Sequence, residues 1–519
     1  MRLTVDASPH RNPGNGIARG PGPVPRTPRP SAHGGAERLF AGLVALFGLV
    51  FALGLPPCQA PDEVSHFFRA YQVSEGRLLP VMVGEWGGGD VPAGIIRVTE
   101  SFAQLAFHAE RQAQREDFTR LLQTPLDPAD RTAVPFPGST FYTFVPYLPQ
   151  AGGIALARWA GLNPLAIFYA GRLANLALAV LLVYLALRIT PVFKVVLGTV
   201  ALLPMSIHQL ASLSPDSSTI AAALLLTAVL LRLALGEGRV GGGAVGLLFF
   251  LTGWLTLCKF PYGALCLLYL AVPAGRLGGR RRYLAVGAGL FLMAGVLALT
   301  AMQMKRFAPD RLTTDATAGV SMERQLHFLR EQPLRYAQIC AATVAEHGQV
   351  WLDQMGTLGW LDTPVNPLAM HAYFLVLLLA ALGDRTAGVT VRLRLRGAAL
   401  LAVSACFGVI LTSCYVCGCR YKAPLIVGPQ GRYFIPLLPL LLLLLYNQSF
   451  QVQAPPRLLR AVTAGGGAAV LLVAVINFVR RYYLAPRLHL LLAPAALGLG
   501  LALFVAVVAL ARRRQVDAL

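Results

Sequence analysis

The sequence PDEVSHFFRAY, Pro61 to Tyr71, follows directly on an apolar run from Leu39 to Leu55. It sets two adjacent carboxylates, Asp62 and Glu63, at the point where the chain leaves that run, with His66 and Arg69 about a helical turn beyond. Two neighbouring acids cost stability if they only decorate a membrane edge. Their expected use is to take a proton from a hydroxyl, or to hold a divalent metal ion with Asp62, Glu63 and His66 as candidate ligands.

Three further connections carry residues of the same kind. Asp216 in SLSPDSST is the only acid of its connection. It suits helix capping, by its own side chain or that of Ser214, and a site role can coexist with capping. Lys259 in CKFPYG is the lone charge of a tight turn, read either as interfacial snorkelling or as a partner for phosphate. The run VGPQGRYFIPLLPL from Val427 brings Gln430, Gly431, Arg432 and Tyr433 together. There Gly431 allows close backbone approach to a ligand, and Arg432 presents a planar guanidinium at the depth of a lipid phosphate. The plainer reading of Arg432 is a snorkelling side chain.

These residues must be positioned by membrane helices. With 55% hydrophobic residues, 13% charged ones and repeated apolar runs, the chain reads as an all-α integral membrane protein. The net charge of +21 comes from short Lys and Arg clusters between apolar runs, which is membrane-loop charge rather than a nucleic-acid surface. Residues 1–38, rich in Pro, Gly and Arg, read as a disordered cytoplasmic tail. The first apolar run suits a signal peptide or a retained anchor. Pro56-Pro57-Cys58 is a poor cleavage context, which favours the anchor.

About twelve transmembrane helices fit the polytopic domain 39–511, among them 195–212, 262–275, 432–447 and 488–511, followed by a cytoplasmic tail at 512–519. Phe141 to Trp159 is apolar, but Pro146, Pro149 and Gly152-Gly153 interrupt it and suit a juxtamembrane helix. With twelve spans the short inner loops carry fourteen basic residues and the short outer loops seven, which puts both termini in the cytoplasm. Two large external loops, 56–165 and 306–370, then lie over the outer face. The second is expected to hold one or two amphipathic helices broken around Pro333, and its Trp351 and Trp360 read as interface anchors.

Cys414, Cys417, Cys419 and Cys58 share that face, where disulfides or free thiols are favoured over a metal site because no His is near in sequence. Cys258, Cys266, Cys340 and Cys406 form no pattern. No Asp or Glu lies well inside a span, which speaks against ion-coupled transport. No Walker loop, dinucleotide fingerprint, HExxH or nucleophile elbow occurs.

The order PDEVSHFFRAYQVSEG, GRLANL, SLSPDS, CKFPYG and PQGRYFIPLLP resembles a bacterial family of predicted polytopic membrane proteins over nearly the whole chain after the tail. That family resembles, more remotely, the GT-C class of glycosyltransferases, such as protein O-mannosyltransferases and lipid A aminoarabinose transferases. The resemblance implies a GT-C-like fold in the bacterial inner membrane. It also implies a polyprenyl-phosphate-linked sugar as donor and a glycan, lipid or protein as acceptor. It matches Asp62 or Glu63 to the first-loop acid and Asp216 to the second, and Phe141 to Trp159 occupies the place of the juxtamembrane helices. In this expectation Asp62 or Glu63 deprotonates the acceptor, while Arg432 and Lys259 stabilise the leaving polyprenyl phosphate among membrane lipids. His66, Arg69, Gln430, Gly431 and Tyr433 complete the substrate-binding set. A translocase for lipid-linked glycans and a glycan polymerase are the alternatives.

Overall fold

A computed structural model describes residues 35–307, 319–386, 388–446 and 455–483. Among these, six helices are long and apolar enough to cross a membrane: Ala36–Gly54, Pro164–Ile189, Asp216–Leu235, Arg280–Phe307, Leu393–Gly418 and Pro456–Tyr483. At about 1.5 Å per residue, the shortest reaches roughly 28 Å, the order of a bilayer's hydrocarbon core. Four shorter apolar helices, Gly242–Cys258, Phe260–Ala271, Pro367–Gly383 and Gly431–Leu443, pack among them. The chain is a polytopic α-helical membrane protein.

The Asp216–Leu235 helix is the centre of the bundle, with 83% of its apolar window buried by protein. Small residues Ala221, Ala222 and Ala223 let neighbouring backbones come close. The Pro164–Ile189 helix packs beside it and begins with a regular cap: the Asn163 side chain accepts the Ala166 N–H at 2.9 Å, and Pro164 occupies a position that has no N–H to satisfy.

Several expected spans take a different form. The run 195–212 is not one helix but two, Lys194–Ala201 and Pro204–Leu210. Pro204 has no N–H for the preceding turn and drives Leu203 into extended backbone. The break is wholly enclosed by protein, the setting in which an interrupted helix is tolerated at membrane depth. The run 262–275 forms a 3-10 helix, Phe260–Ala271, in place of an α-helical span. The run 432–447 begins as a 3-10 helix, Gly431–Leu437, and becomes α-helical only over Leu438–Leu443, because Pro436 and Pro439 interrupt the ladder. The expected span 488–511 and both tails lie outside the described residues, except for residues 35–38.

The connections sort to two ends. At one, Asp384 accepts the Val195 and Val196 N–H groups and Thr386 bonds the Pro191 carbonyl. At the other, the connections carrying Asp62, Asp216, Lys259 and Arg432 meet. The long segments near this end add two small sheets that no helical pattern announced. One is β1 (Val81–Val83), β2 (Trp86–Pro92) and β3 (Arg131–Pro135) in antiparallel order; the other is β4 (Thr357–Leu358) with β5 (Thr363–Pro364). Helices Met322–Glu331 and Pro333–Gln354 meet at the expected break.

Candidate active site

The acidic pair is split by the fold. The turn Pro57 to Asp62 leads out of the first helix into the helix Glu63–Ser74, with left-handed backbone at Cys58 and Asp62. Such backbone is strained for most side chains but tolerated by Asp. Asp62 sits at the cap position of that helix, yet its carboxylate caps nothing. It stays 46% exposed, and its nearest charged partner is Arg432, with Oδ2 3.8 Å from Nη2.

Glu63 is fully buried and fully engaged. Its Oε1 accepts Arg172 Nε at 2.9 Å and the Leu213 N–H at 3.0 Å; its Oε2 accepts Arg172 Nη2 at 2.6 Å and the Ala60 N–H at 3.3 Å. The remaining Arg172 hydrogens go to the carbonyls of Ala52, Leu55 and Pro56. Guanidinium geometry allows one side chain to gather all these acceptors. The clamp therefore ties the end of the first helix, the acidic turn and the connection before Asp216 into one unit. Asn175, a turn beyond Arg172, grips the same connection through the Ser212 carbonyl at 2.7 Å, and Gln150 reaches the carbonyls of Leu213 and Ser214.

Asp216, the first residue of the central helix, is buried with its two oxygens divided between two cations. Lys259 Nζ is 2.9 Å from Oδ1, and Arg432 Nε is 2.8 Å from Oδ2. Capping falls to Ser214, whose Oγ accepts the Asp216 N–H at 3.1 Å. Lys259 is already engaged inside the protein: besides Asp216 it holds its ammonium 3.6 Å from the centroid of the Tyr433 ring, an attraction of about 0.5 to 2 kcal/mol. Arg432 keeps one hydrogen-bonding group in reserve. Its Nη1 is buried and has no hydrogen-bond partner, an expensive state for a guanidinium group unless a ligand completes it.

The site wall is aromatic. His66 Nδ1 is 2.9 Å from the Tyr147 hydroxyl, and burial pulls the imidazole down to about 3, so it is neutral at ordinary pH. Burial pushes the Asp62 carboxyl above its ordinary value; Arg432 opposes this, Asp216 adds to it and Lys259 opposes it. A raised carboxylate beside a cation is suited to accepting a proton from a hydroxyl.

Other expected members lie elsewhere. Arg69 is buried away from the charged cluster, where its Nη1 bonds Gln72 and its Nη2 the Leu78 carbonyl, holding the chain that leads to β1. Gly431 does not open a path for a ligand. A Cβ there would run into the Trp351 carbonyl, and its N–H donates to Gln354 Oε1 at 2.7 Å, so the glycine lets the 3-10 helix that carries Arg432 lie against the Pro333–Gln354 helix. Gln430 is nearby with a buried Oε1 that has no partner. Among the described residues, no three His, Cys, Asp or Glu side chains could hold a metal ion; of the expected ligand set, Glu63 is spent on Arg172 and His66 bonds Tyr147. All eight cysteines are free thiols. Arg172, Tyr147, Asn175 and Gln150 are the residues that the sequence reading missed. The available signal was the charge of Arg172 inside an apolar span.

A family model described as Predicted membrane protein (DUF2142) matches residues 45–441. Among solved structures, the crystal structure of ArnT from Cupriavidus metallidurans in the apo state is similar over 92% of this chain and 77% of that one, at 14% sequence identity and a TM-score of 0.41. No curated protein matches.

Proposed function

The chain belongs to the family described as Predicted membrane protein (DUF2142), and from that premise we propose that it is a glycosyltransferase of the bacterial inner membrane. It moves a sugar from a polyprenyl-phosphate donor to a cell-envelope glycan, lipid or protein on the outer face. The observation that carries this reading is one geometry: a half-exposed, uncapping Asp62 lies 3.8 Å from a buried Arg432 whose Nη1 has no partner. A base and an anion receptor stand side by side.

In this reading Asp62 takes the proton of the acceptor hydroxyl as its oxygen attacks the anomeric carbon. The bond from that carbon to the phosphate oxygen breaks, and its electron pair stays on the phosphate beside Arg432. Fixed cations that meet charge as it develops are worth about 10² to 10³ in rate, and a positioned base about 10² to 10⁴. Asp216 acts by holding Arg432 and Lys259 in place, and Glu63 by holding the turn that carries Asp62. The reading thus divides the acidic pair into one reacting and one positioning carboxylate.

The test is the composition of envelope glycans and lipid-linked intermediates in a deletion strain. It is complemented with wild type, Asp62→Asn or Arg432→Ala, at matched membrane abundance. Loss of one sugar from the glycan, with its lipid-linked donor accumulating on the outer face, is the expected result for both variants. Full restoration by Asp62→Asn together with failure of Arg432→Ala would exclude the base and favour a translocase of lipid-linked glycans.

A further inference from the structure

The turn from Pro57 to Asp62 is held at its base by Arg172, which takes the carbonyls of Leu55 and Pro56. Its crest is held from the far end of the sequence. The Cys58 carbonyl accepts the indole N–H of Trp360 at 2.9 Å, a contact between residues 302 positions apart. Cys58 is fully buried and has a φ of 64°, backbone that a β-carbon disfavours and that persists only where the surroundings fix it. Gln59 next to it ties its amide to the carbonyls of Pro57 and Phe102. The indole is the hold that the second long segment adds to this turn.

Trp360 is itself rigidly placed, and it does not take the interfacial role that its position in the sequence suggests. It stands at the tip of the β4–β5 hairpin, between left-handed backbone at Gly359 and Leu361. Its own N–H donates to Asp362 Oδ1 at 3.2 Å, and the Asp362 Oδ2 accepts the Phe107 N–H at 3.2 Å. The Gly359 carbonyl lies 3.3 Å from Nε2 of His208, on the buried helix Pro204–Leu210. Phe107 covers the indole with ring centroids 5.7 Å apart and is 68% exposed. A phenyl ring would serve that stacking equally well. What only the indole supplies is a donor aimed at the strained turn, four residues before Asp62.

We infer that Trp360 is a positioning residue: through the Cys58 carbonyl it fixes the turn that presents the Asp62 carboxylate to Arg432. Arg172 and Trp360 then grip the turn from two sides, one by its base and one by its crest. The inference rests on the reading of Asp62 as the base and adds the group that keeps that base in place. Loss of the hold should matter, because a small misplacement of a reacting group is costly in rate.

The experiment uses the full chain in detergent. It is labelled with N-ethylmaleimide, mapped peptide by peptide by mass spectrometry, and assayed for sugar transfer at matched protein. Trp360→Phe keeps a ring for Phe107 and deletes the N–H, whereas Phe107→Ala keeps the N–H and deletes the stacking. Trp360→Phe is expected to speed labelling of Cys58 about five- to tenfold, the size of one net hydrogen bond, with the buried Cys266 and Cys406 still protected. Phe107→Ala is expected to leave Cys58 at the wild-type rate. Transfer by Trp360→Phe is expected to fall about tenfold. The same change in an Asp62→Asn background is expected to cost nothing further, since a positioning residue acts through the group it positions. Cys58 labelling unchanged by Trp360→Phe would overturn the inference and leave the transferase reading standing. Faster labelling of Cys58, Cys266 and Cys406 together would overturn it by making Trp360 a packing residue. Equal losses of transfer in the two backgrounds would do so by detaching Trp360 from Asp62. Faster Cys58 labelling in a chain that transfers no sugar would support the hold on the turn and remove the transferase reading.

Discussion

Asp62 and Glu63 are adjacent in the chain but belong to different charge systems. Glu63 lies within a closed ion pair with Arg172 at 2.6 Å, while Asp62 stands half-exposed and 3.8 Å from Arg432. The division follows from the backbone. Left-handed geometry at Asp62 starts a helix whose first residue, Glu63, turns inward to Arg172 and the Leu213 N–H, while the Asp62 carboxylate is left uncapping beside Arg432. Because Leu213 lies three residues before Asp216, the same clamp sets the spacing between the two acids that face Arg432.

Removing one partner of the clamp is expected to be severe. Glu63→Ala leaves the Arg172 charge buried without its counter-ion, at a cost of about 3 to 5 kcal/mol, whereas the joint change Glu63→Leu with Arg172→Met is expected to cost much less. Thermal unfolding of the purified chain in detergent measures both. A single variant as stable as the wild type would show that water reaches Arg172 and that the clamp is not sealed.

Asp62→Asn is expected to separate chemistry from folding. Asn tolerates the left-handed backbone and the Asp62 carboxylate makes no close hydrogen bond, so the melting behaviour should match wild type within about 0.5 kcal/mol. Sugar transfer should fall by about 10² to 10⁴. In the wild type, transfer should rise with pH through an apparent pKa above the ordinary carboxylate value, the direction in which burial shifts Asp62. A profile that is flat across that range in the wild type would exclude Asp62 as the base.

The charged connections were legible because lone charges beside apolar runs stand out: Asp62, Asp216, Lys259 and Arg432 can each be read from position alone, and the structure brings all four within one cluster. The partner of Glu63 was not legible, because Arg172 is 109 residues away and local spacing carries no information about which helices touch. Gly431 was legible as a place of close approach, but a sequence does not say whether a ligand or the Trp351 carbonyl approaches. Hydropathy also misjudged 195–212, since it registers Leu202, Leu203 and Pro204 as apolar without weighing the missing N–H that breaks the helix there. Strand β2, WGGGDVP, has three glycines and little strand propensity; its pairing with β3 is a tertiary choice.

Gly431→Ala is expected to act at a distance from any ligand. The added methyl meets backbone, the Trp351 carbonyl, rather than a flexible side-chain end, so the 3-10 helix carrying Arg432 must move. Overpacking of this kind costs about 1 to 3 kcal/mol, and the Arg432 to Asp216 contact should lengthen. Unfolding measurements together with polyprenyl-phosphate binding read both effects. Unchanged binding with lowered stability would mean that Arg432 keeps its place when its 3-10 helix shifts.

His66 supplies a test through pH. Its folded-state pKa is about 3 and its ordinary value 6.5, so between those limits the unfolded chain binds the proton and the folded chain does not. Stability from this group is complete above about pH 6.5 and declines as pH falls toward 3, by up to about 1.4 kcal/mol per pH unit. His66→Gln retains a hydrogen-bonding group for the Tyr147 hydroxyl and does not titrate. The wild type is therefore expected to lose stability faster than the variant between pH 6.5 and 4, with parallel behaviour between pH 7 and 8. Melting curves across that series decide it. Parallel curves through the acid range would mean that His66 takes its proton within the folded site, which requires Tyr147 or the Asp62 side to accommodate an imidazolium.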